Sequence, residues 1–280
     1  MSGYTQIEPT AMQGALGAEI RGLDVSASTE QATISELHRA LLEHQLIYLH
    51  GQSMTPADLL AFSSQFGKIQ PYAFATPLEG LTGITSVCRE PGDKHNFGGV
   101  WHTDGPYQDH PPKITILLAI DIPQQGGDTM FADMYAAYAG LPADVKQRID
   151  ARRGIFSARK THDRPQWTFG SIEHRSDQTN VKEQYLHPIV RTHPETGRKA
   201  LYVSRCHMEG IDQLDAEESE PLLDFLCEHA VQTQYTSRLR WQVGTLVMYD
   251  NRCVQHSALD DYPGERRELY RVLIEGETPN

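Results

Sequence analysis

Trp101-His102-Thr103-Asp104 is the run in this chain best placed to do chemistry. His102 and Asp104 stand at i and i+2, and on a strand such residues point to one face. An imidazole and a carboxylate on one face can reach the same metal ion. A second histidine from elsewhere would complete two imidazoles and one carboxylate on one triangular face of the ion. That set leaves coordination positions open and is the donor set of non-haem iron(II) oxygenases. Two competitors offer the same ligand types, His193-x-Glu195 and His207-x-Glu209. His193 precedes a proline in a turn-like run, His193 to Gly197, and reads as a surface loop. His207 and Glu209 follow a strand and rank below His102 and Asp104.

The C-terminal part supplies the rest. Trp241-Gln-Val-Gly244 reads as a turn into a strand, 245–249, followed by Asp250-Asn251-Arg252 and then His256. Beyond it come Arg267 and Arg271, four apart, which on a strand share a face. Two inward arginines imply an anion, because arginine stays charged and grips carboxylates with two hydrogen bonds. The C5 carboxylate of 2-oxoglutarate fits that demand.

Elements must carry these residues. The start reads as two strands, 6–9 and 17–25. A helix follows with Ile34, Leu37 and Leu41 on one face and Ser28 or Thr29 as cap. A short buried strand, 46–49, precedes a second helix, 55–66, with Thr55 as cap and Pro56 at its first position. From about residue 99 the pattern turns to short β-rich runs: 100–103, 114–122, 129–132, 200–204, 245–249 and 270–274. Turn residues separate them, which predicts a sandwich or jelly roll. Two helices interrupt the run, 136–153 and 216–231. The polar, aperiodic stretch 157–184 is predicted to be an active-site lid over a single domain, 1–280.

Composition limits the function classes. The formal charge is −12, which argues against sequence-independent nucleic-acid binding. Cys88, Cys206, Cys227 and Cys253 are far apart without a CxxC pair and read as reduced thiols. No signal peptide and no apolar stretch of bilayer length is visible. The expectation is a soluble, cytoplasmic protein acting on a small molecule, with no membrane or nucleic-acid partner. Homo-oligomerisation is left open.

Taken in order, these runs resemble the taurine dioxygenase / 2,4-dichlorophenoxyacetate dioxygenase (TauD/TfdA) family of iron(II)- and 2-oxoglutarate-dependent oxygenases. The resemblance spans nearly the whole chain. It begins at Gly14-Ala-Leu-Gly-Ala-Glu-Ile-Arg-Gly-Leu-Asp24 and continues through Phe66-Gly67, Trp101 to Asp104, Pro111-Pro112 and Gly126-Gly-Asp-Thr129. It ends with Arg191 to Arg198, Trp241, Asp250-Asn-Arg252, His256 and Arg267 with Arg271.

The resemblance implies a mainly β fold with flanking helices, a double-stranded β-helix or distorted jelly roll. It implies iron(II) on His102, Asp104 and His256, with 2-oxoglutarate and O2 as co-substrates. Thr129 matches the threonine that hydrogen-bonds the distal carboxylate of 2-oxoglutarate, and Arg267 the arginine that pairs with it. Arg271 matches an arginine that contacts the substrate anion in the taurine enzyme, so its role is in substrate or co-substrate binding. Retention of Asp104 favours hydroxylation or a related C–H oxidation over halogenation, with release of succinate and CO2. Around the iron, Gly105 leaves room, and Lys68 to Tyr72 replaces a histidine-rich stretch of the taurine enzyme, so taurine is not the expected substrate. Gln70, Tyr72, Asn96, Tyr107 and His207 are the candidate substrate contacts, with a small anionic organic substrate as the expected class. The competing reading is a cupin-like metalloenzyme, an isomerase or hydrolase, which would have no use for the Thr129 and Arg267 pair.

Overall fold

The structure is a computed structural model that describes residues 3–27, 29–72, 74–94, 96–162 and 183–280. Most of the predicted lid, residues 163–182, lies outside the described residues. The chain builds two facing sheets with helices packed outside them. The larger sheet has seven strands: β1 (Pro9–Ala11), β2 (Ala18–Ile20), β3 (Leu46–Leu49), β4 (Ile84–Arg89), β5 (Ile114–Asp121), β13 (Leu246–Asp250) and β15 (Arg267–Ile274). Their order is β1-β2-β3-β13-β5-β15-β4. The smaller sheet sets β6 (Thr129–Asp133) between β12 (Thr236–Leu239) and β14 (Val254–Ala258). β7 (Arg153–Phe156), β8 (Tyr185–Pro188) and β11 (Met208–Ile211) form a third sheet, and β9 (Val190–Thr192) pairs with β10 (Lys199–Leu201).

Side-chain alternation along the central strands explains the layers. Leu118, Leu246, Met248 and Val272 pack with Ile34, Leu37 and Leu41 of helix α1 (Gln31–His44) and with Leu59 and Phe62 of α2 (Pro56–Ser64). The residues between them, Leu117, Val247, Tyr249 and Leu269, face Phe131, Leu239 and Val254 of the smaller sheet. Thr115, Arg267 and Arg271 are on the strand positions that share this inner face. The strands therefore deliver polar groups into an otherwise apolar space between the sheets.

Several local expectations change. α1 starts after Glu30 with no side-chain cap, whereas α2 has the predicted Thr55 cap and Pro56, completed by a capping box with Asp58. The helix predicted over 136–153 is two helices, α3 (Met134–Gly140) and α4 (Ala143–Ile149). Pro142 forces the break, since the residue before proline is pushed out of the helical region, and Leu141 is extended. Residues 100–103 form no ladder; they make a single antiparallel bridge, His102 to His256. α5 (Arg159–His162) and α6 (Ala216–Ala230) complete the α-helices of the described residues. Among the described residues no helix is long and apolar enough to cross a membrane.

Candidate active site

His256 sits on β14, opposite Phe131 of β6. The His102 bridge ties it to the 101–104 run through two backbone bonds, His102 N–H to His256 O at 3.0 Å and His256 N–H to His102 O at 2.8 Å. The pairing brings the two imidazoles to a ring separation of 4.1 Å. Ligand atoms of His102, Asp104 and His256 all lie within 4.8 Å of one another, and all three residues are buried. His102 Nε2 is 3.8 Å from Asp104 Oδ1.

The surroundings fix each group. His102 Nδ1 lies 2.7 Å from the Val100 carbonyl, so that nitrogen carries the proton and Nε2 keeps a lone pair. Asp104 Oδ2 accepts from the Thr115 hydroxyl at 2.6 Å and the Tyr249 hydroxyl at 3.0 Å. Asn251 Nδ2 donates to Thr115 Oγ1 at 2.8 Å, and Asn251 Oδ1 accepts from Asp104 N–H at 3.3 Å. Burial alone would raise the Asp104 carboxyl, but His256, Arg271, His102 and the Thr115 bond outweigh it and hold it well below the usual carboxylate range. Burial, then neighbouring His102, pushes His256 down to about 3. Its Nδ1 is buried and has no hydrogen-bond partner among the described residues. The site thus offers one anionic oxygen donor and two neutral imidazoles, a set that suits a divalent transition metal.

Behind the triad is a cavity of about 40 Å³ bordered by His102, His256, Thr129, Tyr249, Arg267 and Arg271. Arg267 Nε donates to the Gly127 carbonyl at 2.9 Å and Nη2 to Thr129 Oγ1 at 3.4 Å. Trp241 Nε1 also donates to Thr129 Oγ1, at 2.9 Å, and the Arg267 guanidinium lies 5.5 Å from the Trp241 ring centre. These partners are neutral, and burial pulls the Arg267 pKa down. A guanidinium in this setting calls for an anion.

Arg271 borders both this cavity and a second one, of about 50 Å³, on the other side of the triad. Its guanidinium lies 4.2 Å from the Tyr72 ring centre and 5.2 Å from that of Phe97. Nη1 is 3.8 Å from Asp104 Oδ1, while Nε and Nη2 are buried with no hydrogen-bond partner among the described residues. Tyr72, Tyr107 and His207 line the second cavity, so three of the predicted substrate contacts meet Arg271 there. Gln70 and Asn96 do not line it. Gln70 donates to Gln108 and to the His110 carbonyl and borders a different hollow. Asn96 donates to the Ala258 and Leu259 carbonyls, which ties down the end of β14. Val100, Thr161 and Cys206 border both the second cavity and a wider hollow of about 740 Å³ next to it.

Gly105 has φ +57°, and a Cβ there would stand 2.8 Å from Pro112 Cδ. The turn after Asp104 therefore requires glycine for backbone reasons as well as for space.

The reading of His193 as a surface-loop residue is overturned. It is 1% exposed, and its Nε2 lies 3.0 Å from Asp250 Oδ2. His193, Asp250 and Cys253 are close together, but Arg252 occupies this cluster, giving Asp250 bonds at 2.8 and 2.7 Å. It is an ion-pair network that clamps the turn carrying Asn251. Of the competing His207-x-Glu209 pair, only His207 reaches the second cavity. Sequence reasoning missed Thr115 and Tyr249. Their signal was a hydroxyl inside an otherwise apolar strand.

The family model described as taurine catabolism dioxygenase TauD, TfdA family matches residues 6–273. The alkylsulfatase of Acinetobacter baylyi is 31% identical over 97% of this chain and 86% of its own length. The alpha-ketoglutarate-dependent sulfate ester dioxygenase of Pseudomonas putida is 30% identical over 98% of this chain and 90% of its own. The crystal structure of a taurine dioxygenase from Burkholderia xenovorans superposes with a TM-score of 0.83 at 29% identity, over 98% of this chain and 93% of that one. The chain therefore belongs to the TauD/TfdA family of 2-oxoglutarate (alpha-ketoglutarate)-dependent dioxygenases.

Proposed function

We propose that this dioxygenase holds iron(II) on His102, Asp104 and His256 and seats the distal carboxylate of 2-oxoglutarate on Arg267 and Thr129. It oxidises a C–H bond of a small anionic organic substrate whose charge Arg271 receives. The observation that carries the reading is the cavity shared by two of the three triad residues, His102 and His256, and by the buried Arg267 guanidinium, whose hydrogen-bond partners among the described residues are neutral. The residues fit the absent groups. The unpartnered His256 Nδ1 and Arg271 Nε and Nη2 are buried polar atoms that a bound ion and bound anions would satisfy.

Iron(II) with 2-oxoglutarate would supply the activation of O2, with succinate and CO2 released. The chain's own groups supply position and exclusion. The Val100 carbonyl holds His102 in the tautomer that presents Nε2. Thr129, itself held by Trp241, sets the depth at which a carboxylate meets Arg267. The rings of Tyr72 and Phe97 flank the Arg271 guanidinium and keep it aimed by cation–π contact while excluding water. The hollow beyond Val100 and Cys206 gives room for a substrate body larger than taurine. Sulfate esters, sulfonates and carboxylates are the anions to test first, since alkylsulfatase and sulfate ester dioxygenase activities carry the names of two relatives. We also place the protein in the reducing cytoplasm, in keeping with four free cysteines.

The test is a panel of organic sulfates, sulfonates, carboxylates and neutral analogues, incubated aerobically with protein, iron(II) and 2-oxoglutarate, with succinate as readout. The reading expects succinate stimulated by anionic members and abolished in Asp104→Ala. Stimulation by neutral analogues alone would contradict the role given to Arg271.

A further inference from the structure

Thr115 and Tyr249 face each other across β5 and β13, in register as cross-strand partners. Both are buried, Thr115 completely and Tyr249 at 1% exposure. Both hydroxyls converge on one atom, Asp104 Oδ2, at 2.6 and 3.0 Å. Thr115 is oriented from behind, because Asn251 Nδ2 donates to its oxygen and leaves its proton to point at the carboxylate. The tyrosine hydroxyl also lies 3.2 Å from His256 Nε2, so it touches two of the three candidate ligands. Among the described residues Oδ1 has no such donors. It faces His102 Nε2 and Arg271 Nη1, each at 3.8 Å.

A carboxylate can hold an ion through one oxygen or two. With two it uses an additional coordination position. A carboxylate oxygen has two lone-pair directions, and on Oδ2 two hydroxyl donors occupy them. We propose that Thr115 and Tyr249 are positioning residues that restrict Asp104 to one-oxygen ligation through Oδ1, with Asn251 as the residue that aims Thr115. The consequence is a metal that keeps one more position free for the co-substrates than a chelating aspartate would leave. This rests on the metal reading above, and hydrogen-bonded partners of this kind commonly orient ligands and tune the metal.

Manganese(II) is the probe, because its enhancement of solvent-proton relaxation follows the number of waters it holds, and a second aspartate oxygen displaces one. The variants are Tyr249→Phe, Thr115→Val and the pair together, each of which removes a hydroxyl and little else. Thr115→Ser retains the hydroxyl and serves as the conservative rescue. Circular dichroism checks folding, and the single variants carry the test if the double variant does not fold. With manganese fully bound and no co-substrate present, the hydroxyl-less variants are expected to lose relaxation enhancement per bound ion relative to wild type, and Thr115→Ser to match wild type. Affinity lost with unchanged enhancement per bound ion would mark a packing role and overturn the proposal, as would unchanged enhancement with unchanged affinity. Wild-type protein that takes up no manganese would overturn the metal reading and this inference together, which separates the two failures.

Discussion

Replacing Arg267 with methionine separates a ligand clamp from a structural arginine. Arg267 is 3% exposed, and its hydrogen-bond partners are the Gly127 carbonyl and the Thr129 hydroxyl. Neither carries charge. A hydrogen bond to a charged group contributes about 1.5–3 kcal/mol, and a guanidinium fork on a carboxylate makes two. Losing both weakens 2-oxoglutarate binding by roughly 3–6 kcal/mol, about 10²- to 10⁴-fold in Kd at 1.4 kcal/mol per factor of ten. Methionine preserves much of the apolar stem packed beside Trp241. In the absence of 2-oxoglutarate the same change deletes a buried charge whose hydrogen-bond partners among the described residues are neutral, so the melting temperature should hold or rise. The assay is anaerobic calorimetric titration of the manganese-loaded protein with 2-oxoglutarate, beside thermal melts of the ligand-free protein. A Kd within about threefold of wild type would refute the clamp. So would a melting temperature lower by about 3 °C or more, which for a chain of this size marks a stability loss on the order of 1 kcal/mol.

Other consequences are open to direct measurement. Arg271→Leu should raise KM for an anionic substrate by about 10- to 100-fold, the scale of losing a charged hydrogen bond, and leave the 2-oxoglutarate Kd within about threefold; equal effects on both would mean Arg271 serves the co-substrate. Arg252→Met strips Asp250, 1% exposed, of its guanidinium partner and should cost about 3–5 kcal/mol in urea unfolding; a loss under about 1 kcal/mol would show that the network is not needed for the fold. His187, bonded through Nε2 to the Gln108 carbonyl, is pushed down to about 4 by burial. The unfolded chain then binds more protons between about pH 6.5 and 4. The stability contributed by neutral His187 is therefore complete above that window and lost as pH falls through it, by about 3 kcal/mol in all. His187→Gln should flatten this part of the stability profile, and an unchanged slope would refute the assignment.

The parts of the site legible in the sequence were those set by short-range spacing. The i, i+2 pair His102 and Asp104 reached one point, although residues 100–103 form a bridge and not a strand. Arg267 and Arg271 share the inner face of β15, as a period of two requires. Pro142 announced a helix break that apolar periodicity concealed. What was illegible came from pairings distant in the chain. His193 sits in a run that reads as a turn, and its burial depends on Asp250, 57 residues away. Thr115 and Tyr249 lie in strands whose apolar composition announces core, and only the register of β5 against β13 turns their hydroxyls to Asp104. Gln70 and Asn96 illustrate the converse. Their polar side chains near motif residues suggested substrate contacts, but both are engaged with backbone or neighbouring amides.

The central claim is that one cavity holds iron(II) and 2-oxoglutarate together. Its most direct test is an anaerobic titration of the purified protein with iron(II) and then 2-oxoglutarate, following the visible metal-to-ligand charge-transfer band. The account predicts a band in wild type, no band in His102→Ala, and a band in Arg267→Ala only at far higher 2-oxoglutarate. A folded wild-type protein that binds iron yet shows no band at any 2-oxoglutarate concentration would contradict it.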